Sequence, residues 1–206
     1  MNKQNTLYLS VLVLIFGFSN LNAQKPFKAG FSVGALTTQV DGDGYGGYDK
    51  SGIQAGAWVS REVSNDLILM LEIAYRPKGS KSSLKATIDD QDYYKLSLHY
   101  VEIPVTLRYR NKNYLFDVSL GAAYLAKESE KGYILGGLSS SETPGFNKFD
   151  LITAVGIGIQ LNENWSITAR FTYSVIDAAK NYRMPSNFRL QFNNALSLSL
   201  YRRIGR

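Results

Sequence analysis

The chain has 206 residues, of which 45% are hydrophobic and 13% aromatic, and it carries a formal net charge of +6 at pH 7. This apolar content excludes a disordered chain, and the absence of cysteine excludes disulfides and cysteine-based metal sites. No basic cluster with interleaved aromatic residues accompanies the positive charge, so no nucleic-acid partner is expected.

The N-terminal segment has the pattern of a cleaved secretory signal. Lys3 is its only charged residue, an apolar stretch runs from Leu7 to Phe18, and the small residue Ala23 ends the segment. An apolar stretch of about 12 residues is shorter than the roughly 20 that a membrane-spanning helix needs. We therefore predict a signal peptide over residues 1–23 and a single exported domain over residues 24–206.

Eight segments of the remaining chain alternate apolar and polar residues, which is the pattern of β-strands with one apolar face. In the clearest segment, from Trp165 to Val175, Phe171 lies on the apolar face and Arg170 on the polar face. The predicted strands are residues 27–40, 51–62, 67–78, 94–109, 114–127, 149–161, 165–176 and 189–202.

The connections between these strands alternate strictly in length. Short polar turns occupy residues 63–66, 110–113 and 162–164, and long loops occupy residues 41–50, 79–93, 128–148 and 177–188. Outer-membrane barrels have short periplasmic turns and long extracellular loops. The sequence therefore predicts an all-β fold, an eight-stranded antiparallel up-and-down transmembrane β-barrel in the cell outer membrane, with both termini periplasmic.

Charged residues recur on the polar faces of the predicted strands. In such a barrel these faces line the lumen, where ions removed from bulk water must be paired. Eight strands enclose space for side chains only, so we expect these residues to form a polar plug rather than a channel. The predicted lumen network consists of Glu72, Arg76, Glu102, Arg108, Asp117 and Arg170.

The fourth predicted strand contains two irregular features. Apolar residues occupy even positions up to Tyr100 and odd positions from Val101 onward, which predicts a β-bulge near His99 to Val101. Pro104 lacks a backbone N–H, so it fits only where strand pairing is locally relaxed. Aromatic residues near strand ends suit two interfacial girdles, with Tyr109, Tyr114, Phe116, Trp165 and Tyr201 on the turn side and Tyr94, Phe149 and Tyr173 on the loop side.

Several motifs carry a resemblance to a known family. They are KAGFSVG after the signal, Arg-Pro-Lys-Gly at residues 76–79, Glu-Ile-Pro at residues 102–104, and a last strand ending LSLSLY. With these motifs the chain resembles the PorT-like outer-membrane β-barrel family of Bacteroidota. The resemblance implies an integral outer-membrane barrel; the founding member is tied to protein secretion by the type IX pathway. Such chains commonly finish on an aromatic residue, whereas here Tyr201 is followed by RRIGR.

Motifs that would indicate enzymatic chemistry are few. His99 is the single histidine, which excludes a paired-histidine zinc motif, and no nucleophile elbow or phosphate-binding loop is present. One open alternative is an outer-membrane enzyme acting on lipid, with His99 as general base beside Ser97 and an aspartate. A second is a soluble lipocalin-like ligand-binding barrel, which requires the apolar faces to point inward.

Two loops contain candidate binding features. Asp41, Asp43 and Asp49 have the spacing of the first, third and ninth positions of a calcium loop, although the later ligand positions do not match, so a cation-binding loop is the weaker interpretation. The loop 128–148 contains an apolar insert that either binds a partner or folds over the barrel mouth. Its residues are Tyr133, Ile134, Leu135 and Leu138.

The favoured interpretation is a non-enzymatic integral barrel with a plugged lumen and long extracellular loops. Its expected partners are outer-membrane lipid and lipopolysaccharide, with other envelope or secretion proteins as candidates. No cofactor and no metal are expected.

Overall fold

A computed structural model describes residues 26–83, 85–90, 93–134, 137–141, 145–180 and 190–205, so the predicted signal peptide lies outside the described residues. All the long elements are strands, as the period-two alternation requires. They are β1 (Lys28–Asp41), β2 (Lys50–Glu62), β3 (Leu67–Lys78), β4 (Tyr94–Asn111), β5 (Tyr114–Ile134), β6 (Gly137–Ser141), β7 (Phe149–Gln160), β8 (Trp165–Ser174) and β9 (Phe192–Ile204). No helix in the described part of the chain is long and apolar enough to cross a membrane.

Eight of these strands close into an antiparallel barrel. The sheet order is β4-β3-β2-β1-β9-β8-β7-β5, and an additional pairing of β4 with β5 closes the ring. Strand β6 pairs with the last residues of β5 and lies in the predicted loop 128–148. The predicted eight-stranded antiparallel up-and-down barrel is therefore confirmed, with one short extra hairpin strand that the alternation did not show.

The two ends of the barrel differ in their connections. The short-turn end carries the turns that follow β2, β4 and β7, together with both ends of the described chain, since Ala29 pairs with Ile204. The turn after β4 has two residues, and Lys112 adopts a positive φ of 54° there. The opposite, long-loop end carries the connections that follow β1, β3, β5 and β8.

Apolar side chains point outward and charged ones point inward. On β3 and β4, Ile73 is 53% exposed and Ile103 is 47% exposed, whereas the neighbouring Glu102 is fully buried. An outward apolar surface around a polar interior is the distribution of a membrane barrel and the reverse of a soluble one. The lipocalin-like alternative is therefore wrong.

The part of the lumen toward the long-loop end is filled by apolar side chains. The move of the apolar residues of β4 from even to odd positions at Tyr100 is therefore not a change in which positions face inward. Even-numbered residues of β4 face inward along the strand, so Leu96 and Tyr100 belong to the interior. The register shift lies between His99 and Tyr100, which confirms the predicted position of the bulge, but the extra residue is Ala126 of β5. The interior cluster consists of Val40, Leu96, Leu98, Tyr100, Ala123, Leu125, Phe146, Ile152, Ala178 and Ala179.

Pro104 lies where pairing is relaxed on one side. The β3–β4 ladder has no pair at Glu72 and Ile73, which lie opposite Pro104 and the residue before it. Pairing with β5 continues, because Pro104 lies opposite Gly121 there. The missing N–H of proline therefore falls at the interrupted ladder.

Two of the predicted girdle residues face inward instead. Tyr201 is 3% exposed and packs with Trp58 and Met70 inside the short-turn end. Tyr94 stacks on Tyr45 with ring centroids 4.2 Å apart and packs against the interior apolar cluster. The prediction of both residues as girdle residues depends on their closeness to a strand end. That closeness does not determine which face of the strand a side chain lies on. Tyr109, Tyr114, Phe116 and Phe149 are exposed on the outer face.

Candidate functional site

Arg76 lies at the centre of an ion network inside the barrel. Its Nη2 is 2.9 Å from Glu72 Oε2 and its Nη1 is 2.6 Å from Glu102 Oε2. Its Nε donates to Gln54 Oε1 at 2.9 Å. All the guanidinium nitrogens of Arg76 therefore have fixed partners, and the two glutamates are held on either side of it.

A second group of ions continues the network toward the short-turn end. Arg108 makes a bidentate contact with Asp117, with distances of 2.7 and 2.8 Å. Arg170 links the two groups, since it is 3.2 Å from Asp117 Oδ2 and 3.3 Å from Glu72 Oε2. The structure thus brings together all six residues of the predicted lumen network in one connected, buried arrangement.

Lys78 is a member of the network that the sequence analysis missed. Its Nζ is 2.6 Å from Glu102 Oε1, and it lies 5.4 Å from the ring centroid of Tyr100, at the boundary with the apolar cluster. Lys78 shares the even-numbered parity of Glu72 and Arg76 on β3, so its position on the lumen face was readable from the alternation. Lys78 is the last residue of the predicted strand 67–78, and the sequence analysis names it only within the Arg-Pro-Lys-Gly motif at residues 76–79.

The long charged side chains come from one set of strands and the space for them from another. β3, β4, β5 and β8 supply the ions, whereas glycines on β2 and β7 face the lumen beside them. A Cβ atom on Gly156 would lie 3.4 Å from Asp117 Cβ, and one on Gly56 would lie 3.0 Å from Ser32 Oγ. Ser32 in turn donates to Glu72 at 2.6 Å. Small residues therefore make room for the network.

The four cations and three carboxylates of this network are buried and mutually paired. Pairs of this kind hold their side chains in fixed positions because breaking one leaves an uncompensated charge out of water. Together with the apolar cluster, the network fills the lumen. The arrangement suits a structural plug.

His99 lies on the outer face rather than in the lumen. Its Nδ1 is 2.5 Å from the hydroxyl of Tyr75, and the two rings are stacked with centroids 5.9 Å apart. Among the described residues, no carboxylate is hydrogen-bonded to His99. The described residues therefore do not place an acid to orient His99 as a general base, as the enzymatic alternative requires.

Two of the three aspartates proposed for the first long loop, Asp41 and Asp43, have separate partners. Asp41 Oδ1 accepts a hydrogen bond from Gln39 at 2.8 Å, and Asp43 accepts from the Tyr45 N–H at 2.8 Å and from the Ser80 hydroxyl. No group of three acidic or histidine side chains within the described residues is placed to hold a metal. The predicted grouping of Asp41, Asp43 and Asp49 around a cation is not seen. Burial raises the pKa of the Asp43 carboxyl above its ordinary value.

Comparison with protein families identifies the barrel. The family model for the outer membrane protein beta-barrel domain matches residues 18–180. The chain belongs to this family. As an outer membrane protein beta-barrel domain, the chain is an integral protein of the outer membrane, and the outward apolar surface of the barrel is its lipid-facing surface.

Solved structures share the fold of this outer-membrane barrel. Ail, the attachment invasion locus protein of Yersinia pestis, is 16% identical with a TM-score of 0.53, covering 86% of this chain and 98% of Ail. Neisserial surface protein A (NspA) is 11% identical with a TM-score of 0.50, covering 89% of this chain and 100% of NspA. At these identities the likeness concerns the fold alone. No functionally curated protein matches the sequence.

The outer-membrane barrel also has a polar vestibule at its short-turn end. This cavity has a volume of about 570 Å³ and lies beneath the ion network, where the guanidinium of Arg108 is 5.3 Å from the ring centroid of Tyr201. Three of its cations are already paired, since Arg108 contacts Asp117 at 2.7 Å and Glu62 contacts Lys28 at 2.6 Å and Arg110 at 3.6 Å. The cations lining the vestibule are Lys28, Arg108, Arg110, Lys112 and Arg203.

Proposed function

We propose that this outer-membrane barrel is a closed, non-enzymatic accessory component of protein secretion or envelope assembly. Its termini and short turns lie in the periplasm and its long loops lie outside the cell. The proposal follows the PorT-like motifs of the sequence, and it assigns the function to the two ends of the barrel rather than to its lumen.

The observation that carries this proposal is the filled lumen. The ion network around Arg76 occupies the middle of the barrel, and side chains including Tyr100 and Phe146 fill the part toward the long loops. A protein that passes solutes needs a continuous aqueous path through its lumen. An eight-stranded barrel packed in this way has no room for such a path, so its two ends are the surfaces available for binding. Contact with other envelope components is the function that this geometry favours.

The proposed orientation rests on the distribution of the connections. Long connections gather at one end of the barrel, and both ends of the described chain meet at the other. Outer-membrane barrels place short turns in the periplasm. In this orientation the short-turn end faces the periplasm and the long-loop end faces the medium. The vestibule beneath Arg108, at the short-turn end, is therefore the surface offered to periplasmic partners.

The test is a comparison of outer-membrane and culture-supernatant proteins between a strain lacking the gene and its parent. We expect a defined set of exported proteins to be lost and to return when the wild-type gene is restored. Restoration with a His99→Ala variant is expected to work equally well, because no catalysis is assigned to that residue. Unchanged protein profiles in the deletion strain would contradict the secretion or assembly role.

Conductance in planar bilayers tests the filled lumen separately. We expect the purified protein to give no large steady conductance, whereas a general porin purified in the same way does. A stable open level of the wild-type barrel would show that the plug moves aside, and the functional assignment to the barrel ends would then fail.

A further inference from the structure

A row of lysines crosses three neighbouring chain segments on the outer face of the long-loop end. Lys95 of β4 lies directly opposite Lys131 of β5 in the antiparallel ladder. On its other side, Lys95 forms an isolated bridge with Lys81, which lies in the long loop between β3 and β4. Four residues along the same ladder, Lys127 lies opposite His99. Since paired residues point to the same face of a sheet, these side chains form one positively charged strip.

The carboxylates of the same hairpin, Glu128 and Glu130, form no ion pair with Lys95, Lys127 or Lys131. Glu130 is on the other face, where it accepts a hydrogen bond from the Tyr94 hydroxyl at 2.9 Å, and Glu128 accepts one from the Gly145 N–H. Among the described residues, no ion pair joins Lys95, Lys127 or Lys131 to an acid, and all three side chains are exposed. Like charges directly opposite each other on a sheet are destabilising unless an anion lies between them.

The strip lies at the edge of the lipid-facing surface. The outward positions that follow it along β4 and β5 are apolar or aromatic, beginning with Val101 and Tyr124, and Tyr124 is 47% exposed. Lys127 is the lysine nearest that edge, and Lys95 and Lys131 extend further from it. At about 3.3 Å per residue, the strip therefore rises from the edge of the apolar belt through the thickness of a headgroup layer.

We propose that this lysine strip binds the phosphate groups of a phosphorylated glycolipid in the leaflet that surrounds the long-loop end. Ammonium groups attract phosphate as point charges and donate charge-assisted hydrogen bonds to its oxygens. The hydroxyls of Ser97 and Ser129, which lie opposite each other between the Lys95–Lys131 pair and the His99–Lys127 pair, supply further donors. The inference rests on the proposed orientation, because only an outward-facing long-loop end places the strip among lipopolysaccharide molecules.

Native mass spectrometry of the protein purified from outer membranes tests this site. The protein in detergent is titrated with lipid A carrying two phosphates, and in parallel with the same lipid after enzymatic removal of its phosphates. We expect saturable binding of the phosphorylated lipid and at least about tenfold weaker binding by a Lys95→Gln/Lys131→Gln variant, a change of about 1.4 kcal/mol.

A Lys112→Gln/Arg202→Gln variant is the matched control. It removes the same charge from two exposed positions at the short-turn end of the barrel, and we expect it to bind the phosphorylated lipid as the wild type does. Equal binding by the Lys95→Gln/Lys131→Gln variant and the wild type would overturn the proposal. So would equal binding of the lipid with and without its phosphates. Complete displacement of the lipid by millimolar inorganic phosphate would identify a free-anion site instead and would also overturn it.

Cysteine labelling on intact cells separates this proposal from the proposed orientation. The chain has no cysteine, so single-cysteine variants give an unambiguous signal. A Cβ on Gly46, in the first long loop, would meet nothing within 4 Å, which makes the Gly46→Cys variant tolerable. We expect an impermeant maleimide to label this variant and to leave a Glu163→Cys variant, in the last short turn, unlabelled. The reverse pattern would refute the orientation, whereas the binding experiment tests the lipid site independently.

Discussion

Gly121 of β5 lies directly opposite Pro104 of β4, and a Cβ atom on Gly121 would lie 2.6 Å from Pro104 Cα. Strand β4 therefore approaches its neighbour too closely at this point for any side chain. The glycine and the proline act as a pair, because the ladder on the other side of Pro104 is interrupted and the strand depends on β5 for its pairing.

A Gly121→Ala variant is expected to destabilise the barrel. The added methyl group has to displace the backbone of Pro104, and overpacking of this kind costs about 1–3 kcal/mol. Urea unfolding of the barrel in lipid vesicles measures the loss. A Gly46→Ala variant, whose Cβ meets nothing within 4 Å, is the control and should change stability by less than about 0.5 kcal/mol. Equal stability of the Gly121→Ala and wild-type proteins would show that the close approach is absent.

An Asp117→Asn variant should lose much of its stability. Asp117 binds both Arg108 and Arg170, so its neutralisation leaves an excess of buried positive charge in the network. Removing one partner of a buried ion pair costs about 3–5 kcal/mol. Urea unfolding gives the value, and Asp66→Asn in an exposed turn is the control. A small loss in both variants would mean that water reaches the network.

The pair of Lys78 and Glu102 should show coupling in a double-mutant cycle. Glu102 keeps Arg76 as a partner when Lys78 is replaced by Met, whereas Lys78 has no second carboxylate in the network when Glu102 is replaced by Gln. We therefore expect Glu102→Gln to destabilise more than Lys78→Met, with an interaction energy of about 0.5–3 kcal/mol. Additive effects in urea unfolding would contradict a direct contact.

The two tryptophans provide a test of which faces point to lipid. Trp58 is inside the barrel, where its Nε1 donates to the Phe31 carbonyl at 3.2 Å, whereas Trp165 lies at the outer edge with the Arg202 guanidinium 4.6 Å from its ring. In brominated lipid, a Trp58→Phe variant should show several-fold stronger fluorescence quenching than a Trp165→Phe variant. The opposite ranking would invert the assignment of faces.

The first long loop should depend on pH through Asp43. Burial raises the pKa of this carboxyl above its ordinary value of 3.8. Because the folded loop binds the proton more tightly than the unfolded chain does, the contribution of Asp43 is complete below pH 3.8 and is lost as the pH rises through the raised pKa. Hydrogen-exchange protection at Tyr45, corrected for intrinsic rates, should therefore fall with rising pH. An Asp43→Asn variant should lack this change, and its persistence there would exclude Asp43 as the cause.

The amino-acid sequence by itself determined the strands, their order and the identity of most lumen ions. A period of two assigns side chains to faces without knowledge of neighbours, and the alternation of loop lengths follows from an up-and-down chain path. For this reason the charged residues from Glu72 to Arg170 could be assigned to one interior before any contact was known.

Only the tertiary structure decided which residues meet inside the barrel. Alternation identifies the apolar face of a segment but not whether that face points inward, so the inward positions of Leu96 and Tyr100 required the closed ring. The packing of Tyr201 against Trp58 and the ion pair of Lys78 with Glu102 depend likewise on the stagger between strands. Periodicity is a local property of the chain, whereas the partners of a buried charge are determined by how all eight strands close.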